Sequence, residues 1–483
     1  MYRIDSRFLS RPQDDERMTT RTLLERTCEI ANAYLGDVRE LRVGSPVAYD
    51  ALLQSLGGPL PAIPADPLAV IEDLAAWAKD GLVTTPGPRH FGFVIGGALP
   101  AALAADWLAS TWDQNAFSFV LSPAATVVEE VARQWLTEAL GLSPDMSLGI
   151  VTGATMANFT GLAAARHAML ARAGWDVEER GLFGAPEFAV VTSDESHISI
   201  FAALQMLGLG RARVTRIATD AQGRMRADTL QGTLRGIDTP VVVCAQAGNV
   251  NTGAFDPLAD IAAMVHAAGG WLHVDGAFGA WAAASPELRH LTNGLSLADS
   301  VSLDGHKWLN VPYDCGFTFV RDETAHRTAM TLEASYYAPA RTAARANHHW
   351  VPEASRRARG FAVYAALRSL GREGVAALVE RCVHLARRMA QRLSVGPSVR
   401  ILNDVVLNQV LVRFEDAGGN ADERTAAVIR LVQDDGTCWV GGASWHGMHV
   451  MRVSVSNWST TEADIDRSAE AILRCAMVAE AMT

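Results

Sequence analysis

Two short apolar runs constrain this chain more than any other feature, because each ends on a chemically active side chain. The first, WLHVD at residues 271–275, stops on Asp275, with Gly276 and Ala277 behind it. The second, SVSL at residues 300–303, passes through a turn at Asp304 and Gly305 to His306, Lys307 and Trp308. Both have the length and apolar content of buried strands. Most lysines are solvated, and Lys307 alone would read as one more. A carboxylate closing the preceding strand changes that reading. Open α/β sheets build their sites at the carboxyl ends of strands. Two such ends call for a mostly parallel sheet with crossover connections.

The rest of the chain supports such a sheet. Residues 148–152 (LGIVT) read as a strand, followed by Gly153, Ala154 and Thr155 at a helix start. Small residues and a hydroxyl at a helix N-terminus make an anion site, although many α/β turns look alike. Residues 188–200 (FAVVTSDESHISI) form a further strand and turn, and residues 241–258 a strand, a turn and a helix start capped by Asp256 and Pro257. Residues 1–85 read as a helical leader in which Leu24, Cys28, Ala31 and Leu35 share one face. Asp66 followed by Pro67 is an N-cap with a first-turn proline. Ser122 and Pro123 open another helix. Trp107, Trp112 and Phe117 read first as core packing and second as a pocket wall. Beyond residue 361, helices are expected at 365–371 and 375–393, strands at 408–414, 437–441 and 448–456, and a last helix at 463–478 capped by Thr461 and Asp464.

With 483 residues, 49% of them apolar, the chain can bury a large core in two or three subdomains. Acids outnumber bases 53 to 42, a net charge of −11, which argues against nucleic acid or an anionic membrane as the main partner. The longest apolar run, 93–109, is interrupted by two glycines, Pro100 and Asp106 and does not read as a membrane span. The opening residues lack a signal-peptide core. The six cysteines show no close spacing. Reduced thiols in a cytoplasmic protein are therefore expected, and no metal is implied.

A lysine amine forms a Schiff base with an aldehyde, and an aspartate beside a pyridine nitrogen keeps that nitrogen protonated so that the ring accepts electrons. The Lys307 and Asp275 pair therefore suggests pyridoxal 5'-phosphate, although a Lys–Asp pair alone is a weak signal. The wording around it is stronger. HVDGAFGAW, then ELRHL, then ADSVSLDGHKWLNVPYDCG resemble the group II pyridoxal-phosphate-dependent amino-acid decarboxylases, the family of the aromatic L-amino-acid and glutamate decarboxylases. The resemblance covers nearly the whole chain and is strongest over residues 148–316.

That resemblance implies a fold-type I α/β architecture: a mostly parallel sheet with helices on both faces, a helical leader and a small α+β C-terminal domain. The expected divisions are 1–90, packing on a dimer partner, 91–360, binding the cofactor, and 361–483. It implies that Lys307 carries the cofactor, Asp275 pairs with the ring nitrogen, His197 stacks on one ring face and Ala277 lies against the other. Gly153, Ala154 and Thr155 become the phosphate turn, where Met156 replaces the family's acid. Asn249 is placed at a polar contact to the cofactor and His306 beside phosphate or substrate. Asp304 and Ser300 join the cofactor-binding set. Asn115 and Phe117 fall where the family lines its substrate pocket.

The implied reaction is decarboxylation of an L-amino acid to the amine, in a homodimer with shared sites. The alternatives are an aldehyde synthase and a non-catalytic scaffold. Residues 331–350 read as a mobile loop. The family's loop tyrosine, the proton donor, falls near Ala346. Tyr336, Tyr337, His348 and His349 are the available substitutes, with the two histidines nearest the expected position.

Overall fold

The computed structural model describes residues 13–331, 345–415 and 420–482. Seven strands form the main sheet: β1 (Ser147–Val151), β2 (Ala189–Ser193), β3 (Thr215–Ile217), β4 (Val241–Gln246), β5 (Trp271–Asp275), β6 (Ser300–Asp304) and β7 (Gly316–Val320). Their order is β1-β7-β6-β5-β4-β2-β3. β3, β2, β4, β5 and β6 pair in parallel, and only β7 runs against its neighbours. Strands buried on both faces need near-continuous apolar runs, and β1, β4, β5, β6 and β7 are buried along their whole length.

β5 and β6 are paired so that His273 lies beside Ser300 and Asp275 beside Ser302. Alternate residues of a strand share a face, so these four side chains form one patch. The helix Ala154–Arg172 packs over it. It is rich in alanine and carries Gly161, which lets it come close: a Cβ on Gly161 would lie 3.0 Å from the His273 ring.

A second sheet follows, with β8 (Val399–Ile401), β9 (Gln409–Phe414), β10 (Gly441–Trp445) and β11 (Met448–Ser454) in the antiparallel order β10-β11-β9-β8. The expected strand at 437–441 lies instead at Gly441–Trp445. Trp439 pairs its backbone with Arg89 and Phe91 and stacks on His90, which leaves the hairpin to start later. The two expected helices at 365–371 and 375–393 form one element, Gly360–Leu393, interrupted at Gly371. That residue has φ of 62°, a conformation in which a Cβ is strained. Asp256 does not cap the helix Leu258–Ala267. It is buried and accepts from the backbone N–H groups of Met225 and Gln246 at 2.7 Å each. One apolar cluster joins both sheets, from Leu148 and Val301 through Val379 to Val410 and Val453.

The leader forms the helices Gln13–Asp37, Tyr49–Leu56 and Pro67–Ala78, with Asp66 capping the last through the N–H of Leu68. The second and third bury none of their residues. Leu53, Leu56, Leu60, Ile63, Val70, Leu74 and Trp77 are all exposed. Trp107 and Trp112 are exposed by 40% and 49% rather than sitting in the core. All six cysteines are free thiols. Among the described residues no helix is long and apolar enough to cross a membrane.

Candidate active site

β6 ends at Asp304, and the chain turns at once into the short helix Gly305–Trp308. Lys307 is thereby aimed back at the strand end. Its Nζ lies 2.8 Å from Asp304 Oδ2, and the aspartate is almost wholly buried. Asp304 Oδ1 accepts from the Ala154 N–H at 2.6 Å, so the same carboxylate ties the lysine to the start of the helix behind β1. His306 Nδ1 accepts from the Cys315 N–H at 3.1 Å. Its ring proton therefore sits on Nε2, which faces Asp304 at 3.4 Å. Burial pulls the His306 pKa down, so the ring is neutral. Tyr313 stacks on it with ring centres 4.3 Å apart.

The loop 91–97 closes against this turn. A Cβ on Gly96 would lie 1.7 Å from the Lys307 carbonyl oxygen, so only glycine permits the approach. Gly153 is similarly tight: its Cβ would meet the His306 ring at 3.0 Å. Thr155 stands exposed on the first turn of its helix.

One strand over, the Asp275 carboxylate is buried and surrounded by donors. Oδ2 takes Asn158 Nδ2 at 3.1 Å and Ser199 Oγ at 3.4 Å. Oδ1 takes the Ala277 N–H at 3.1 Å and Ser302 Oγ at 3.5 Å. Among the described residues no lysine, arginine or histidine nitrogen forms an ion pair with it. A buried carboxylate without a cation is costly. The site therefore fits a cationic group, and a pyridinium nitrogen is one. The amine of Lys307 fits an aldehyde, and the small-residue turn with the Thr155 hydroxyl fits a phosphate. The donor set thus matches pyridoxal phosphate.

His197 caps the helix Ile198–Met206, its Nδ1 accepting from the Ser199 N–H at 3.3 Å and lying 2.8 Å from Ser199 Oγ. Burial lowers its pKa, opposed by the charge of Asp275. Ser199 Oγ thus lies between His197 Nδ1 and Asp275 Oδ2, and its one proton serves one of them at a time.

Two residues of the expected cofactor set are held by hydrogen bonds within the protein. Asn249 holds its own turn, its Oδ1 accepting from the N–H groups of Asn251 at 2.9 Å and Thr252 at 3.2 Å. Ser300 is buried at the far end of β6, between Trp271 Nε1 at 2.9 Å and His273 Nδ1 at 2.8 Å. The register puts Ser302, not Ser300, beside Asp275. Sequence reading missed Asn158, Ser199, His273 and Ser302. The available signal was spacing: His273 lies two residues before Asp275, and Ser199 two after His197.

The expected pocket residues form a second cluster. Phe117 and His348 stack at 4.0 Å, and the His348 N–H donates to the Phe117 carbonyl at 3.0 Å. Asn115 Oδ1 accepts from the Arg356 N–H at 3.2 Å. Arg356 and Glu129 form a buried bidentate pair at 2.7 Å, which anchors this segment. Breaking one side of such a pair costs about 3–5 kcal/mol. Burial lowers the His348 pKa and takes His349 down to about 4, where the neighbouring His348 also disfavours its charge. Tyr336 and Tyr337 lie outside the described residues, as does most of the expected loop.

A lysine and a cation-seeking carboxylate at adjacent ends of a mostly parallel sheet define the class: an α/β enzyme built around pyridoxal phosphate. Residues 51–415 match the pyridoxal-dependent decarboxylase conserved domain. The chain belongs to the pyridoxal-dependent decarboxylase family. Its cofactor is pyridoxal phosphate, and its reaction is the decarboxylation of an amino acid. It is 30% identical to tryptophan decarboxylase 1 of Oryza sativa subsp. japonica over 65% of this chain and 63% of that protein. It is also 30% identical to L-2,4-diaminobutyrate decarboxylase of Rhizobium meliloti (strain 1021), over 75% and 72%. Phenylacetaldehyde synthase of Arabidopsis thaliana is 25% identical over 81% and 82%. The crystal structure of Oryza sativa TDC with PLP and tryptamine superposes with a TM-score of 0.89 at 24% identity, covering 97% of this chain and 98% of that one.

Proposed function

We propose that this chain converts an L-amino acid to the amine and carbon dioxide, with Lys307, Asp275 and His197 as its catalytic residues. The observation that carries this is the buried Asp275 carboxylate, surrounded by four donors and, among the described residues, without a cation, one strand away from Lys307. Pyridoxal phosphate, when bound, supplies an aldehyde for an amine and a ring that accepts the electron pair of the breaking Cα–carboxylate bond. Lys307 Nζ is the amine that holds it, and Asp304 orients that amine. Asp275 keeps the ring nitrogen protonated. His197, its imidazole held neutral by burial, would lie against the ring, and the small Ala277 would leave room for it. The turn at Gly153, Ala154 and Thr155 takes the phosphate, with His306 beside it. We place the divisions at residues 1–90, 91–360 and 361–483, and the protein in the cytoplasm. Incubating the purified enzyme with each common L-amino acid should give carbon dioxide and amine in equal amounts for at least one. Loaded enzyme that releases carbon dioxide from none would reject the reading.

A second product outcome, aldehyde with ammonia and peroxide, is favoured by the similarity to a phenylacetaldehyde synthase. The choice turns on how soon a proton reaches the substrate Cα, which needs a positioned acid and a dry site. An acid with a pKa near 4, as His349 has, is mostly unprotonated at neutral pH. A tyrosine hydroxyl keeps its proton, so Tyr336 and Tyr337 are the first to replace. Single substitutions of Tyr336, Tyr337, His348 and His349 should move at least one variant from amine towards aldehyde and peroxide. Four unchanged product ratios would place the acid elsewhere, with His197 next.

The exposed apolar residues of the leader support a homodimer. Each buried Leu, Ile or Val side chain contributes about 1.5–3 kcal/mol. Covering Leu53, Leu56, Leu60, Ile63, Val70 and Leu74 contributes on the order of 10 kcal/mol, comparable with the roughly 4–15 kcal/mol that association costs. Sedimentation at micromolar concentration should find a dimer, and a fully active monomer would refute it.

A further inference from the structure

The groups behind Asp275 are hydrogen-bonded in one direction only. Trp271 Nε1–H can only donate, and Ser300 Oγ accepts it at 2.9 Å. Asn158 Oδ1 can only accept, so its 2.8 Å contact places a proton on His273 Nε2. Burial takes the His273 pKa down to about 4, so at neutral pH this is the ring's single proton. Nδ1 is then a lone pair, and the Ser300 hydroxyl donates to it at 2.8 Å. The two hydrogens of Asn158 Nδ2 go to Asp275 Oδ2 and Ser199 Oγ, each at 3.1 Å. Ser300, His273 and Asn158 are wholly buried. Gly161 keeps the space open, since a Cβ there would press on both His273 and Ser300.

We propose that Trp271, Ser300, His273 and Asn158 form a one-way relay of positioning residues that holds Asp275 as an oriented carboxylate, and so keeps the ring nitrogen of bound pyridoxal phosphate protonated. This rests on the assignment of Asp275 to that nitrogen. A donor to the charged form of a carboxylate favours that form. Aligned donors in a low-dielectric interior reinforce one another. Without them the carboxylate is held less firmly against the ring nitrogen, and the ring keeps less of the charge that draws electrons.

Two readouts beside turnover test it. In the cofactor-free enzyme, imidazole ¹⁵N NMR should find the His273 proton on Nε2. A proton on Nδ1 would reverse the chain and overturn the proposal. In enzyme loaded with pyridoxal phosphate ¹⁵N-labelled in the ring, wild type and His273→Gln should both show the protonated nitrogen, because a glutamine amide also accepts at one end and donates at the other. His273→Phe and Asn158→Leu should move the signal towards the neutral nitrogen and lower kcat about 10- to 100-fold, with KM little changed. Where these do not fold, Ser300→Ala should move the signal less but in the same direction, and no movement overturns the relay. Asp275→Asn separates the two ideas. An unchanged signal there removes the assignment of Asp275 and the relay with it. A changed signal there, with none in His273→Phe or Asn158→Leu, removes the relay alone.

Discussion

Lys307→Ala lowers kcat by at least about 10³-fold, roughly 4 kcal/mol of barrier, while the protein stays folded. The reason is local. Lys307 Nζ is the amine at the end of β6, 2.8 Å from a buried carboxylate. Removing it leaves Asp304 without its nearest cation, but the Ala154 N–H and His306 Nε2 remain beside Oδ1. The stability cost should therefore stay below that of an orphaned buried charge, about 3–5 kcal/mol. Lys307→Arg keeps the charge against Asp304 and still abolishes turnover, because a guanidinium does not give up its proton. Steady-state rates, circular dichroism and the visible absorption of the loaded protein measure all three effects. Either variant turning over at near wild-type rate, with no added amine, would remove Lys307 from the chemistry.

Asp275→Asn costs about 10² to 10⁴ in rate and much less in cofactor affinity. A protonated ring nitrogen stabilises the electron pair that enters the ring only in the reacting state, so losing it raises the barrier more than it weakens binding. The substituted side chain would also turn an amide N–H₂ towards donors that now point at a carboxylate: Asn158 Nδ2 and Ser199 Oγ on one oxygen, Ala277 N–H and Ser302 Oγ on the other. Cofactor titration beside kcat separates the two effects. A near wild-type kcat with reduced occupancy would make Asp275 a structural residue only.

What could be read from the residues in order was whatever is local. Alternation and apolar runs placed β1, β2, β4, β5 and β6. The Asp66 and Ser122 caps marked their helices, because a cap is made within four residues. Lys307 stood out for the same reason, boxed between a strand end and Trp308. The strand at 437–441 was misplaced because Trp439 is claimed by residues 89–91, far earlier in the chain. Asp256 looked like a cap and is a tie between Met225 and Gln246. Ser300 looked like a cofactor contact and faces Trp271 and His273.

These differences share a cause. Sequence shows which side chains share a face of one strand, by the period of two. It does not show which residue of the next strand lies alongside, since a shift of one residue exchanges the faces. His273 and Asp275 were visible as a pair on one strand, and Ser300 and Ser302 as a pair on another. Only the pairing of β5 with β6 set His273 against Ser300 and Asp275 against Ser302. Only the close approach of a glycine-bearing helix brought Asn158 between them. That a lysine and a carboxylate would meet at the ends of neighbouring strands was already legible in the order of the residues. Which buried side chains hold that carboxylate was settled only in three dimensions, because their hydrogen bonds join segments 27 to 117 residues apart.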